Sequence, residues 1–209
     1  MLEGSFPATA MPDADWWRTL WPQPQAVLAT LGIEPGMDAV DLCCGDGLFT
    51  VPLASMARRV TAIDLDPEML ALARDRAAAT CVTNCTFIAG DAYDLGELVK
   101  DPVDFVLIAN TFHGVPDQGR LVQAVANILH PGGHFAIINW HRQPREDTTV
   151  LGKPRGPKTE LRMEPADVVA AVQPAGFSPV SIVELPPYHY AAIFQRAARQ
   201  SISRIPPNC

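Results

Sequence analysis

Three aspartates stand at or just beyond the ends of three short apolar runs: Asp41 in Ala39-Val40-Asp41-Leu42, Asp64 in Ala62-Ile63-Asp64-Leu65, and Asp91 in Gly90-Asp91-Ala92. The first run leads into a glycine-bearing turn, Cys43-Cys44-Gly45-Asp46-Gly47, and then into the amphipathic stretch from Leu48 to Met56. A strand, a tight turn and a helix start place free helix N–H groups and a closely approaching backbone in one spot. Carboxylates repeated at successive strand ends add negative charge and hydrogen-bond acceptors to the same edge.

The elements that would position these groups are legible in the periodicity. Apolar, β-branched-rich runs fall at 38–43, 59–64, 85–89, 103–109, 133–140, 179–184 and 189–195, and helical patterns at 47–57, 67–79, 117–129 and 165–174. A further helix over 12–31 carries Trp16, Trp17 and Trp21, broken or bent at Pro22 and Pro24. Asp66-Pro67 reads as an N-cap with proline at the first helical position. Pro131-Gly132-Gly133 reads as the end of a helix turning tightly into a strand. Runs 103–109 and 133–139 are almost continuously apolar, as central strands covered on both faces must be. Alternation of this kind predicts an α/β protein, doubly wound about a mostly parallel sheet with helices on both faces. Ligands in such sheets sit beyond the carboxyl ends of the strands, where strand order reverses. The three aspartates would then line one pocket. Ribose diols, an exocyclic amine and a sulfonium each find what they need there, which together describe S-adenosylmethionine.

Bulk properties exclude several classes. The 209 residues suit one core and not two ordinary domains. A net charge of -7 opposes broad nucleic-acid binding. No apolar run reaches membrane-spanning length, and no basic-then-apolar leader opens the chain. Five cysteines, an odd number with Cys43 beside Cys44, read as reduced thiols of a cytoplasmic protein. The adjacent pair reads as packing residues, and no metal site is expected.

The chain resembles the class I S-adenosylmethionine-dependent methyltransferases, of the small-molecule kind similar to the ubiquinone-biosynthesis methyltransferases. The resemblance rests on Val40 to Gly47, Ala62 to Leu70, Gly90-Asp91-Ala92, Asp104-Phe105-Val106 running to Asn110-Thr111-Phe112-His113, and Leu129-His130-Pro131-Gly132-Gly133, together spanning roughly residues 36 to 195. It implies a Rossmann-like, seven-stranded sheet with an antiparallel last strand, an N-terminal helical lid over 1–35 and a methyltransferase domain over 36–209. It also implies cofactor roles: Asp41, Cys43, Gly45 and Gly47 at the methionine end, Asp64 on the ribose hydroxyls, Leu65 and Met69 beside adenine, Asp91 and Ala92 on the adenine edge, and Asn110 between cofactor and acceptor. Cys43 departs from the pattern, standing where the family turn usually carries glycine; a positive φ there would be strained.

Other residues keep two readings. His113 and His141 follow the fourth and fifth strands, and each is a candidate base or merely a lining residue. The tryptophan cluster is an aromatic lid or a helix packed on the sheet flank. Segment 142–162, rich in Arg and Lys, is a field that draws an anionic substrate or a solvated loop. A nicotinamide oxidoreductase is the first rival, opposed by Thr50 where its fingerprint wants a third glycine. A catalytically silent S-adenosylmethionine-binding sensor or partner subunit is the second. The partner expected is a small-molecule methyl acceptor, with oligomeric state open between monomer and homodimer.

Overall fold

The computed structural model describes residues 12–198. Its main sheet has seven strands in the order β3-β2-β1-β4-β5-β9-β8. These are β1 (Asp38–Leu42), β2 (Arg59–Asp64), β3 (Cys85–Ala89), β4 (Val103–Ala109), β5 (Leu129–Trp140), β8 (Phe177–Leu185) and β9 (His189–Arg196). β1 to β5 pair in parallel, and β9 runs antiparallel to both β5 and β8. Between β5 and β8 lie β6 (Thr149–Val150) and β7 (Lys153–Pro154), which pair as a separate hairpin. Strand order reverses between β1 and β4, so the switch-point crevice opens above that pair.

Strand alternation divides the core. Val40, Leu42, Ile63, Val106, Ile108, Phe135 and Ile137 point to one face, against α6 (Gln118–Ile128) and α7 (Pro165–Val172). Ala39, Phe105, Leu107, Ala136 and Ile138 point to the other, against α1 (Ala14–Leu20), α2 (Pro24–Ala29) and α3 (Thr50–Met56). α4 (Pro67–Ala79) joins β2 to β3, and α5 (Leu95–Leu98) precedes β4. α4 starts as its sequence predicts: Asp66 accepts the Glu68 N–H at 2.8 Å and Pro67 fills the first position.

The register explains how the aspartates can share an edge. Asp41 is level with Ala62, two residues before Asp64, and Asp64 is level with Ala89, two residues before Asp91. Asp41 and Asp64 therefore share one sheet face, and Asp91 follows the end of β3 at the same carboxyl edge.

Two expectations change in detail. The 12–31 helix is two helices, separated at Trp21–Gln23 where the prolines interrupt it. β5 begins at Leu129 and runs through Pro131-Gly132-Gly133, because Leu129 already pairs with Val103 and a register shift before Phe105 absorbs the irregularity.

Candidate functional site

The crevice above β1 and β4 is a cavity of about 360 Å³, within the usual range for small-molecule sites. One end is built by the turn after β1. Asp41 is 2% exposed and accepts the Thr50 hydroxyl at 2.6 Å. Burial, reinforced by nearby Asp64, raises its carboxyl to a pKa of about 7 despite that hydrogen bond. Asp64 accepts the Gly45 N–H at 2.8 Å on Oδ2 and the Asp66 N–H at 3.0 Å on Oδ1, which still leaves each oxygen a lone pair. The aspartate thus shapes the turn while facing the cavity. Cys43, Gly45, Leu65 and Met69 line the same end.

Cys43 and Asn110 follow the two strands that flank the switch point, and both are left-handed, with φ of 58° and 60°. Asparagine tolerates this region, but a cysteine there costs about 1–2 kcal/mol. The departure from glycine at position 43 is therefore met by accepting strain. Asn110 lines the cavity with both amide atoms buried and lacking partners among the described residues.

The other end is aromatic. Trp16, Trp17, Phe49 and Trp140 contribute to its walls, joined by Arg145, Arg155, Gly156 and Pro157, with Arg155 over Trp16 and Gly156 against Trp140. Trp16 and Trp17 are buried against the sheet flank and also line the cavity. Residues 1–11 of the expected lid lie outside the described residues. His113 also lines this end, 7% exposed, with Nδ1 at 2.9 Å from Asn139 Oδ1. That oxygen also accepts the Trp140 backbone N–H at 3.0 Å, which fixes the amide orientation. Nδ1 must therefore donate, and Nε2 keeps its lone pair. Burial holds the imidazole pKa below its ordinary value, with Arg162 lowering it further, although the Asn139 bond acts the other way.

Several sequence-predicted residues fall elsewhere. His141 does not line the cavity: it has the parity opposite to Trp140, and its Nε2 lies 2.9 Å from Glu184 Oε2. Gly47 is set back from the cavity as well. Its φ is +80°, and a Cβ there would meet Ala73 of α4 at 3.0 Å, so this glycine serves close packing of turn and helix. Asp91 and Ala92 open onto a narrow adjoining cleft, sharing Cys43, Asp64 and Leu65 with the main cavity. Asp91 also accepts the Tyr93 N–H at 2.9 Å.

Segment 142–162 is folded against the aromatic end through a few buried residues, while most of its residues stay exposed. Arg162 is its centre, 1% exposed, donating to the carbonyls of Pro157, Gln143 and Arg155 and to the Thr148 hydroxyl. The sequence signal for this was weak, because a buried arginine bonded to carbonyls looks like any other surface charge. Asn139 and Trp140 were missed as site residues for a related reason: they extend an apolar strand, and only tertiary folding sets them beside His113 and the cavity.

Fold and crevice define a Rossmann-like α/β protein with its ligand site at the topological switch point. Residues 39–133 match the family described as a methyltransferase domain. An uncharacterized methyltransferase of Synechocystis is 34% identical over 120 residues, covering 56% of this chain and 54% of that protein. A ubiquinone biosynthesis O-methyltransferase of Xanthomonas campestris is 29% identical over 138 residues, covering 62% and 57%. The chain thus spans a little over half the length of these relatives. Among solved structures, an S-adenosylmethionine-dependent methyltransferase of Aquifex aeolicus superposes with a TM-score of 0.73 at 23% identity, covering 88% of this chain and 93% of that one. Residues 39–133 thus form a methyltransferase domain, and the chain shares its fold with an S-adenosylmethionine-dependent methyltransferase. Thr50, where the oxidoreductase fingerprint wants glycine, spends its hydroxyl on Asp41 instead.

Proposed function

We propose that the protein transfers a methyl group from S-adenosylmethionine to a small-molecule acceptor, with His113 as the base when the acceptor arrives protonated. The observation that carries this is one cavity whose carboxylate-bearing half, with Asp41 and Asp64, runs into an aromatic half holding His113. The chain fits the donor chemically. Asp64 has lone pairs left for a ribose diol, Asp41 beside it favours a cation, and the unpaired Asn110 amide offers a donor and an acceptor. Asp91 and Ala92, on the adjoining cleft, are assigned to the adenine edge. Bound S-adenosylmethionine supplies an activated methyl, since its sulfonium becomes neutral as the methyl leaves. The protein's own part is to hold the acceptor in line, exclude water with Trp16, Trp17 and Trp140, and take a proton on His113 Nε2. Residues 1–35 act as the covering segment in this reading. The free thiols fit a reducing compartment such as the cytoplasm.

Isothermal titration with S-adenosylmethionine tests the reading, and absence of binding ends it. Turnover across a panel of thiols, phenols, quinols and carboxylates separates an enzyme from a silent binder. For an acceptor that must lose a proton, His113→Gln should lower kcat by about 10²–10⁴-fold while leaving cofactor affinity near wild type. An unchanged kcat removes the base assignment.

A further inference from the structure

The cavity is electrically lopsided. Asp41, Asp64 and Asp66 line the end assigned to the cofactor, with Asp46 there paired to Arg76, whereas Arg145 and Arg155 line the cavity beside Trp16 and Trp140. Resting on the methyltransferase reading above, we propose that the acceptor is a small organic anion with a flat or apolar body. Its carboxylate or phosphate is held by Arg145 and Arg155, and its body lies against Trp16 and Trp140.

Arg155 has one long, solvent-exposed ion pair and no other among the described residues. Its guanidinium lies over the Trp16 ring at 5.2 Å. The carboxylate it approaches, Asp13, is 3.8 Å away, and that side chain is 82% exposed. Arg155 Nε is buried and has no hydrogen-bond partner among the described residues. An unfilled donor in a ligand cavity costs free energy that an oxyanion would recover. Arg145 is tethered by Nε to the Gly156 carbonyl at 3.0 Å and takes part in no ion pair among the described residues. Behind both stands Arg162, whose guanidinium is satisfied by carbonyl and hydroxyl oxygens and by no carboxylate among the described residues. A buried positive charge hydrogen-bonded only to dipoles, with Glu146 as a more distant counter-charge, adds to the potential at that end of the cavity.

The segment carrying these arginines is seated by shape as well as charge. Gly156, at φ +86°, lies so close to Trp140 that a Cβ would fall 2.8 Å from the indole. Arg155 is therefore set into the wall by its neighbour. The arrangement sorts charge: a cationic donor at the carboxylate end and an anionic acceptor at the arginine end are each paired.

The test uses the full chain saturated with S-adenosylhomocysteine and three probes: 4-hydroxybenzoate, 4-hydroxyphenyl phosphate and neutral 4-hydroxybenzamide. Calorimetry should find at least one of the anions about tenfold or more tighter than the amide. The anion preferred tells carboxylate from phosphate. The Arg145→Gln, Arg155→Gln double variant should lose that preference while binding S-adenosylhomocysteine within about twofold of wild type. An amide that binds as well as both anions overturns the proposal, as does a double variant that keeps the preference. A purely structural role for the arginines would weaken acid and amide alike. If S-adenosylhomocysteine itself does not bind, the methyltransferase reading fails, and the same comparison on the ligand-free protein still decides the arginine assignment.

Discussion

Asp38 and Asp41 sit three residues apart on β1, both nearly sealed from solvent, at opposite ends of the strand. At the amino end, Asp38 is held by Arg58 and Arg59, each 2.7 Å from Oδ2, and the Arg58 hydrogen bond leads in lowering its pKa despite burial. At the carboxyl end, Asp41 has a hydroxyl for a partner and no cation, and its pKa rises to about 7. The backbone follows the same division. Left-handed Cys43 and Asn110 lie directly after β1 and β4, at the carboxyl edge. One edge of the sheet resolves its charges for stability, and the other keeps charge, strain and unpaired amides where a ligand can use them.

The largest expected effect is at Asp41. Its folded-state pKa lies above its unfolded value of 3.8, so the folded state binds the extra proton between those values. Stability should fall as pH rises from about 4 to about 7, by about 4 kcal/mol at 1.36 kcal/mol per unit. Asp41→Asn should match wild type near pH 4 in thermal melts and exceed it at pH 8; parallel curves would break the contrast with Asp38. Next comes Asp64→Ala, which removes two acceptors offered to the ribose and should weaken S-adenosylmethionine about a hundredfold in calorimetry. Unchanged affinity would remove the ribose assignment. Asp38→Ala is the smallest, lowering Tm by about 2–4 °C at neutral pH and sparing cofactor affinity. For Asp38 the sign is reversed: its pairing stabilises above the ordinary carboxylate range and is lost as pH falls through the depressed pKa. Melts of wild type and Asp38→Ala should therefore converge in acid, and a cofactor defect in that variant would blur the two edges into one site.

Much of the architecture was readable because it is encoded locally. The main-sheet strand runs and the helix starts at Pro67 and Pro165 follow alternation and capping, which neighbouring residues determine. Placing three aspartates along one sheet edge needed only strand order and parallel pairing. Where chain segments distant in sequence meet, that logic stops. His141 reads like His113, yet strand parity turns it toward Glu184 while the Asn139 amide turns His113 to the cavity. Gly47 reads as a ligand-facing glycine, but α4 needs the space.

By itself the sequence determined the strand and helix order, the acidic carboxyl edge and the methyltransferase-domain motifs, because periodicity, capping and motif spacing are properties of contiguous residues. Only the tertiary structure decided which imidazole faces the cavity, that a buried arginine packs segment 142–162 over Trp140, and that Arg145 and Arg155 line the cavity. The physical reason is range. Those outcomes depend on contacts between elements whose separation along the chain carries no periodic trace, and a buried charge among carbonyls is indistinguishable from a solvated one until the chain closes around it.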